Sequence, residues 1–456
     1  MNAKCPTIFY DLETSDLSPV GQIMNFCFTV VDNDFTPQDS LQGAVKLSRL
    51  QLPRAAAIAA NKIDVLKHQE SAKYSEAEAM CVISKFINDL VTEYGEYNIA
   101  LVGYNSSRFD LDFLRTSLIR NGINPYFKVR HKDLLFCSRK LAVSKKNFPR
   151  LSSIESPDKL SLRLETLCQA FGLLTGSQAH ESSDDVRLTI ELAKYFNKEF
   201  QLDVRDYLPY EVQGPLHREK GLILKRLIPS YDLSKKEIYE DIPYALLDSN
   251  YRYALWINLN RYRDLIANNE EPANAIEFFK MEGSDFIIKE KSQNTKDLCD
   301  TAAEALEKLA SINLQNYFRE TDCDIEAHIY RLDQNQISAL GKRLWKQDES
   351  AKLSDDAKLL QVRFKMANAK EGTPGLDARL KDYALYRYGG RMKLNRYSEA
   401  VYEQGVEQEG FHPSFEQMLK ELREIAEVGD DETKELMQSL MNYYNSTTIG
   451  RFAKGH

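Results

Sequence analysis

The stretch Thr7-Ile-Phe-Tyr-Asp11-Leu-Glu13-Thr14 has the composition of a buried strand that ends in two acidic residues. Because successive side chains of a strand point to opposite faces, Asp11 and Glu13 share one face of the sheet. In a chain this rich in acids, pairs at this spacing arise roughly ten times by chance, and most are ordinary surface pairs. The apolar run before this pair singles it out as a candidate site for a hard, oxygen-preferring cation.

Strand and helix signals alternate through the rest of the first 200 residues. Residues 25–31 and 99–104 have strand composition, and apolar residues recur at helical spacing over 77–91. Asn105-Ser-Ser107 would cap a helix that continues to about Arg120. A last helix is expected over about 183–196. The alternation predicts an α/β domain over residues 1–200, with a mixed or partly parallel sheet.

The pattern changes twice further along the chain. Residues 201–321 mix short strand candidates, at 254–259 and 286–289, with turns, which indicates a small β-rich accessory domain. Residues 322–456 are nearly all helical in pattern, with a loop expected at 370–375. A chain of 456 residues is long enough for these three domains.

Composition limits the class of protein. Sixty Lys and Arg against 68 Asp and Glu give a net charge of −8, which argues against a surface that coats nucleic acid or membrane but allows a local basic channel. The seven cysteines are dispersed and form no C-x-x-C pair. Asp11 and Glu13 stand where a signal peptide would be uncharged, and apolar stretches fall far short of the ~20 residues of a membrane span. We expect a cytoplasmic protein with no membrane segment.

Two further acids and one histidine extend the acidic pair. Asp110 follows a second apolar run and falls in the first turn of a helix, and Asp185 begins another helix five residues after His180. The helix dipole favours an acid in the first turn whatever its role, and a loop histidine is usually solvated and idle. A histidine just before such a carboxylate could instead reach a water held by metal ions.

The order Asp-x-Glu, then Asn-x-x-x-Phe-Asp, then His-x-x-x-x-Asp resembles the DEDDh family of 3′→5′ exonucleases. Its five catalytic positions are filled here by Asp11, Glu13, Asp110, His180 and Asp185. Within that family, segments at both ends of the chain resemble the exonuclease I subfamily, which acts on single-stranded DNA. These segments are 101–110, 132–135, 162–167, 206–208, 217–220, 377–380 and 386–387.

The resemblance implies a fold and a reaction. The fold is an α/β RNase H-like exonuclease domain, followed by an SH3-like β-rich module and an all-helical C-terminal domain. The reaction is hydrolysis of single-stranded DNA to mononucleotides, in DNA repair and recombination, by a monomeric enzyme. Two Mg²⁺ ions about 4 Å apart, with Mn²⁺ as an alternative, would be held by Asp11, Glu13, Asp110 and Asp185, with His180 as general base. The spacing from His180 selects Asp185 rather than Asp184 as the ligand.

Basic residues are concentrated in few places. Residues 128–150 hold eight of them against one acid, a stretch that would either contact phosphates or form an ordinary solvated loop. A second path lies at 218–226, and a third at Tyr386, Arg387 and Arg391. Candidate contacts to the substrate are Glu13, Thr14, Arg108, Lys128, Arg130, Arg139, Lys145, Arg218 and Lys220.

The resemblance also implies a protein partner, the acidic C-terminal tail of single-stranded DNA-binding protein. Arg139, Lys145 and Tyr207 fall in segments that match the surroundings of the pocket for that tail.

Two other functions compete with this interpretation. An exoribonuclease of the same family would trim RNA 3′ ends, and the 2′-OH contact that separates RNA from DNA cannot be identified from one sequence. The roughly 250 residues beyond the first domain argue against it, because small RNA-trimming members generally lack them. A catalytically silent nucleic-acid-binding scaffold is disfavoured because all five catalytic positions are filled.

Overall fold

The computed structural model describes most of the chain. The described residues are 6–153, 156–174, 182–207, 220–235, 237–250, 253–280, 287–288, 295–314, 332–389, 391–392, 408–409 and 413–454. Among the residues singled out from the sequence, His180 and Arg218 lie outside these ranges, and Arg391 is described in its backbone only.

A five-stranded mixed sheet forms the centre of the N-terminal region. Its strands are β1 (Thr7–Thr14), β2 (Ile23–Val31), β3 (Pro37–Ala44), β4 (Ala100–Gly103) and β5 (Arg130–Asp133), in the order β3-β2-β1-β4-β5. β1, β2 and β3 pair antiparallel, whereas β4 and β5 run parallel to β1. The C-terminal end of β1, which carries the two acids, and the C-terminal ends of β4 and β5 therefore lie at the same edge of the sheet, as in other open α/β sheets.

Seven helices accompany this sheet in the described part of the region. They are α1 (Ala55–Asn61), α2 (Val65–Ser71), α3 (Glu76–Tyr94), α4 (Asp110–Arg120), α5 (Leu134–Ser144), α6 (Leu164–Ala170) and α7 (Ser182–Phe200). β1 alternates its side chains between two apolar cores, with Phe9 in one and Ile8 and Tyr10 in the other. The face that carries Phe9 also carries Asp11 and Glu13, and α7 packs against it.

A second sheet lies in the middle of the chain, after a short hairpin of β6 (Ser152–Ser153) and β7 (Ser156–Leu160). Its strands are β8 (Ile223–Pro229), β9 (Tyr239–Ser249), β10 (Tyr253–Asn258), β11 (Ile276–Lys280) and β12 (Ile287–Ile288). Every pairing among them is antiparallel, in the order β11-β10-β9-β8-β12. Two helices, α8 (Leu259–Ala267) and α9 (Lys296–Lys308), share an apolar core with this sheet.

The C-terminal region is helical. It contains α10 (Gln334–Trp345), α11 (Asp355–Ala367), α12 (Leu376–Tyr388), α13 (Phe415–Val428), α14 (Asp431–Ser446) and α15 (Thr448–Lys454), with a small pairing of β13 (Arg391–Met392) and β14 (Gln408–Glu409). Its main core is not self-contained. Leu50, Leu52, Ala55 and Ile58 from the N-terminal region pack within it, so the two regions share one apolar cluster.

The predicted fold class is confirmed: a mixed α/β sheet, an antiparallel β module and a helical C-terminal region follow one another along the chain. The expected domain limits at 200/201 and 321/322 stay predictions. One local prediction was wrong, because residues 106–108 form a 3₁₀ turn and α4 begins only at Asp110. No helix among the described residues has the length and apolar character that crossing a bilayer requires.

Candidate active site

Three carboxylates from two elements converge at the acidic edge of the first sheet. Asp11 and Glu13 leave β1 on one face, and Asp185 lies in the first turn of α7, which covers that face. One ligand oxygen from each of the three lies within 4.8 Å of the others. Glu13 is buried and the other two are partly exposed. The cluster is therefore open on one side and consists only of oxygen donors.

Asp110 is hydrogen-bonded to β1, the strand that carries Asp11 and Glu13. It is the first residue of α4 and is buried. Its Oδ1 atom accepts a hydrogen bond from the backbone N–H of Leu12 at 3.1 Å, and Leu12 lies between Asp11 and Glu13. The fourth acid is thus tied to the strand that carries the first two, although it does not belong to the three-residue cluster itself.

Burial and neighbouring acids raise the pKa of Asp11 and of Asp110. Burial is the main reason that the pKa of Asp11 lies well above its usual range, and the charges of Asp110, Glu13 and Asp185 add to the effect. Burial also raises the pKa of Asp110 to about 7, while hydrogen bonds from backbone N–H groups oppose the shift. Buried, mutually repelling carboxylates are costly unless a cation offsets their charge.

Asp133 shapes the loop that delivers Asp110. It is buried at the end of β5, and its carboxylate accepts from the backbone N–H of Asn105 at 2.8 Å and of Ser107 at 3.0 Å, and from the Ser107 hydroxyl at 2.6 Å. Asn105 has a left-handed backbone (φ 58°), so this loop needs such anchoring. Sequence reasoning gave Asp133 no role at the site, although an acid directly before Leu134-Leu135 is a recognisable helix N-cap signal.

The two candidate acids of α7 have different environments. Asp185 joins the cluster, whereas Asp184 points toward Arg187, 3.5 Å away, with 40% of its side chain exposed. Thr14 follows Glu13, is buried, and donates its hydroxyl to the backbone oxygen of Asp16 at 2.9 Å. The site of His180, before α7, falls outside the described residues.

Comparison with known proteins relates this geometry to a family. Residues 8–193 match the RNase_T family model, whose description is exonuclease. Exonuclease I from Methylocaldum szegediense superposes with a TM-score of 0.65 at 18% sequence identity, covering 96% of this chain and 98% of that chain. The chain has the exonuclease I fold.

The structural match to exonuclease I covers nearly all of the chain. The zinc-ion-bound form of an E. coli ExoI–ssDNA complex superposes with a TM-score of 0.65 at 16% identity, covering 97% of this chain and 99% of that chain. An ExoI/SSB-Ct complex gives a TM-score of 0.64 at 15% identity, with the same coverage. The likeness therefore includes the β module and the helical region as well as the exonuclease domain. No curated protein sequence matches the chain.

Between the exonuclease domain and the β module lies a cavity of about 610 Å³ with a basic wall. Arg108, two residues before Asp110, and Arg139 of α5 face Arg226 of β8 across it. Aromatic side chains complete the lining, among them Tyr231, which is 40% exposed. The exonuclease I fold thus brings together basic residues that are far apart in the sequence.

Other predicted contact residues lie elsewhere. Lys128 precedes β5 and pairs with Glu96, and Arg130 donates to the backbone oxygen of Arg205 at 3.3 Å. Both lie at the opposite end of the sheet from the acidic edge, because Arg130 is aligned through Ala100 with Thr7, the first residue of β1. The structure does not bring them to the carboxylates. Lys220 lies 4.0 Å from Asp248 on the β module, largely exposed.

The three residues predicted to hold an acidic tail have different environments. Arg139 lines the basic cavity, and Lys145 is exposed where α5 ends. Tyr207 is half-buried against the core of the exonuclease domain, and its hydroxyl has no hydrogen-bond partner within the described part of the chain. Burial raises the pKa of that hydroxyl.

The third predicted DNA path is wrong as far as Arg387 is concerned. This residue is only 4% exposed, and its Nη2 atom lies 3.3 Å from Oδ2 of Asp16 in the exonuclease domain. Its charge is already engaged within the protein, so it does not face a nucleic acid.

Proposed function

We propose that this protein is a metal-dependent exonuclease that removes mononucleotides from the 3′ end of single-stranded DNA. The observation that carries the proposal is the cluster of Asp11, Glu13 and Asp185, with ligand oxygens within 4.8 Å, in a domain that matches the exonuclease family. The exonuclease I fold over the whole chain supports the choice of a single-stranded substrate, because one solved example of that fold is an ssDNA complex.

The carboxylate cluster suits hard divalent cations. Its donors are all oxygens, two of its three members are partly exposed, and the charges of Asp110, Glu13 and Asp185 raise the pKa of Asp11, so a bound cation would relieve their repulsion. We propose two Mg²⁺ ions held by Asp11, Glu13, Asp110 and Asp185, with Mn²⁺ as an alternative. The zinc ion of the E. coli complex belongs to that protein.

The proposed mechanism assigns separate roles to the bound cations, the carboxylates and His180. When bound, the cations would polarise the scissile phosphate, favour ionisation of the attacking water and offset charge on the departing 3′ oxygen. Asp11 and Glu13 are held by the ladder of β1, and Asp110 is fixed to Leu12 N–H, so the cage is preorganised on rigid elements. His180, five residues before Asp185, would accept the proton of the attacking water.

The basic cavity is the proposed path of the strand toward the site. Arg108 and Arg139 would contact phosphates, and Tyr231 offers an exposed ring for stacking a base, an interaction of about 1–3 kcal/mol per base. A net charge of −8 is compatible with this path, because Arg108, Arg139 and Arg226 make the lining of the cavity locally basic.

We also propose the acidic tail of single-stranded DNA-binding protein as a partner, contacted by Arg139, Lys145 and Tyr207. The proposal is supported by the ExoI/SSB-Ct complex, whose fold this chain shares. Saturable binding of a fluorescent tail peptide is expected in anisotropy measurements, weakened by Lys145→Glu. A peptide that does not bind would exclude this partner.

The deciding test compares three substrates. End-labelled single-stranded DNA, duplex DNA and RNA are incubated with the protein and Mg²⁺, with Asp11→Asn as the inactive control. We expect mononucleotides from the DNA 3′ end, with duplex spared and no product after EDTA. Preferred release from RNA would indicate the exoribonuclease, and binding without release in every case would indicate the silent scaffold.

A further inference from the structure

The helical region reaches into the exonuclease domain close to the carboxylate cluster. The segment of residues 50–54 is held there by tyrosine hydroxyls from α12 and α14. The hydroxyl of Tyr388 donates to the backbone oxygen of Leu50 at 3.1 Å and accepts from Leu52 N–H at 2.9 Å. The Tyr443 hydroxyl donates to the backbone oxygen of Gln51, and the Tyr444 hydroxyl donates to that of Pro53. The segment is therefore fixed by the helices rather than by the sheet.

That segment in turn holds the turn of residues 14–18, which directly follows Glu13. The backbone N–H of Arg54 donates to the oxygen of Ser15 at 2.8 Å, and the Asn61 amide donates to the oxygen of Thr14 at 2.8 Å. Hydrogen bonds and the backbone of residues 50–54 thus connect α12 and α14 to Ser15, two residues after Glu13.

Asp16, in the middle of the 14–18 turn, is the meeting point of this network. Its Oδ2 atom lies 3.3 Å from Arg387 of α12, and both side chains are at most 5% exposed. Its Oδ1 atom accepts from the backbone N–H of Leu17 at 2.7 Å. The Nη1 atom of Arg54 lies 4.0 Å from Oδ1 of Asp16. Arg54 also forms a bidentate ion pair with Glu421 of α13, with hydrogen bonds of 2.8 and 2.9 Å.

The ladder with β2 holds β1 as far as Glu13 but does not continue regularly into the turn that follows. The register between β1 and β2 shifts between Glu13 and Thr14, so the regular ladder is interrupted directly after the acid that belongs to the cluster. Because a side chain follows the backbone on both of its sides, the orientation of the Glu13 carboxylate depends on what holds the turn that follows.

We propose that Arg387 is a positioning residue: through Asp16 it fixes the 14–18 turn and hence the Glu13 carboxylate in the geometry that binds a divalent cation. The inference rests on the metal site of the proposed function. It assigns the helical region a part in building that site, in addition to any contact it makes with a strand. Partners that orient metal ligands from outside the first coordination sphere commonly change metal affinity when they are removed.

The test measures metal binding without DNA or turnover. Mn²⁺ affinity of the full chain is measured by electron paramagnetic resonance for wild type, Arg387→Met, Arg387→Lys, Asp16→Asn and the double variant Asp16→Asn/Arg387→Met. Leu440→Ala is the matched control, because Leu440 is fully buried in the same helical core and is apolar. Circular dichroism melting of each variant reports folding.

We expect Arg387→Met and Asp16→Asn each to weaken Mn²⁺ binding by about tenfold or more, as loss of an outer-sphere partner does. The double variant should be no weaker than either single variant, since both break the same pair. Arg387→Lys should recover part of the affinity. Leu440→Ala should melt at a lower temperature and yet bind Mn²⁺ as wild type does.

Equal Mn²⁺ affinities for wild type and Asp16→Asn would overturn the inference, as would a loss of affinity in Leu440→Ala as large as that in Arg387→Met. If Arg387→Met does not fold, the Mn²⁺ affinities of Asp16→Asn and Arg387→Lys decide whether the inference holds. A wild-type protein that binds Mn²⁺ but releases no nucleotide contradicts the proposed exonuclease and leaves this inference to be judged by the affinities. A wild-type protein that binds no Mn²⁺ overturns both.

Discussion

The Oδ1 atom of Asp110 accepts a hydrogen bond from the backbone N–H of Leu12 at 3.1 Å. This bond fixes the start of α4 to the strand between the first two acids, so a helix and a strand that are about a hundred residues apart present their carboxylates together. The bond also sets Asp110 close enough to Asp11 to raise the pKa of Asp11, after burial the largest cause of that shift.

Replacing Asp110 with Asn separates its charge from its hydrogen bond. The amide oxygen can still accept from Leu12, while the negative charge disappears. We expect nucleotide release to fall by at least about a hundredfold, in the range typical for loss of an electrostatic catalytic group. In EDTA the variant should melt at a higher temperature than wild type, because one buried, repelling carboxylate has been removed.

Differential scanning fluorimetry with and without Mg²⁺ checks both parts. Wild type should gain stability as Mg²⁺ is added, whereas Asp110→Asn should gain much less. An Asp110→Asn protein that melts below wild type in EDTA would contradict the electrostatic account of the site.

The neighbouring acids of α7 offer a matched pair. Asp185→Asn removes a member of the carboxylate cluster and should abolish turnover, while Asp184→Asn removes a partly exposed acid near Arg187. Because exposed ion pairs contribute about 0–1 kcal/mol, the second variant should retain nearly wild-type turnover and stability. Single-turnover release from an end-labelled strand measures the difference, and equal loss in both variants would remove the assignment of Asp185.

Much of the fold could be predicted from local pattern. β1, β2 and α3 have strong apolar periodicity, and the sequence places each within a few residues of its observed limits. β3 (Pro37–Ala44) could not be predicted, because it is polar and mostly exposed at the edge of the sheet. An edge strand of this kind forms because β2 offers it a ladder, and that information lies outside its own sequence.

The candidate site could be predicted as a set of residues but not as a structure. The spacing of the family motif favours Asp185 over Asp184 as the ligand, and in the structure Asp185 lies in the carboxylate cluster whereas Asp184 lies near Arg187. The proposed role of Arg387 could not be predicted from the sequence, because its partner Asp16 lies 371 residues away. Basic residues in a sequence look alike whether they face a substrate or a buried carboxylate, and only burial distinguishes Arg387 from Arg108.

His68 predicts a pH dependence of stability that is separate from the site. It lies on α2, is 7% exposed, and its Nε2 atom is 2.9 Å from the backbone oxygen of Val45. Burial lowers the pKa of His68 from its ordinary value of 6.5. The folded state therefore keeps the ring neutral, and its contribution to stability is complete above about pH 6.5 and is lost as the pH falls toward the lower folded pKa.

Urea unfolding between pH 5 and 7.5 measures this effect, with His68→Gln as the comparison, since glutamine can donate to Val45 without titrating. Wild type should lose more stability than the variant as the pH falls below 6.5. Parallel curves for the two proteins would mean that His68 does not contribute.

The two groups of basic residues should differ in their dependence on salt. Arg108 and Arg139 line the basic cavity, whereas Lys128 pairs with Glu96 at the end of the sheet away from the carboxylates. Each phosphate contact with a single strand adds about 0.7 to the slope of log affinity against log salt concentration. Arg139→Met should therefore weaken binding of an oligothymidine and reduce the slope by about that amount, while Lys128→Met should leave both unchanged. Anisotropy titrations in Ca²⁺, from 50 to 300 mM NaCl, measure the slopes, and an unchanged slope for Arg139→Met would exclude the cavity as the path of the strand.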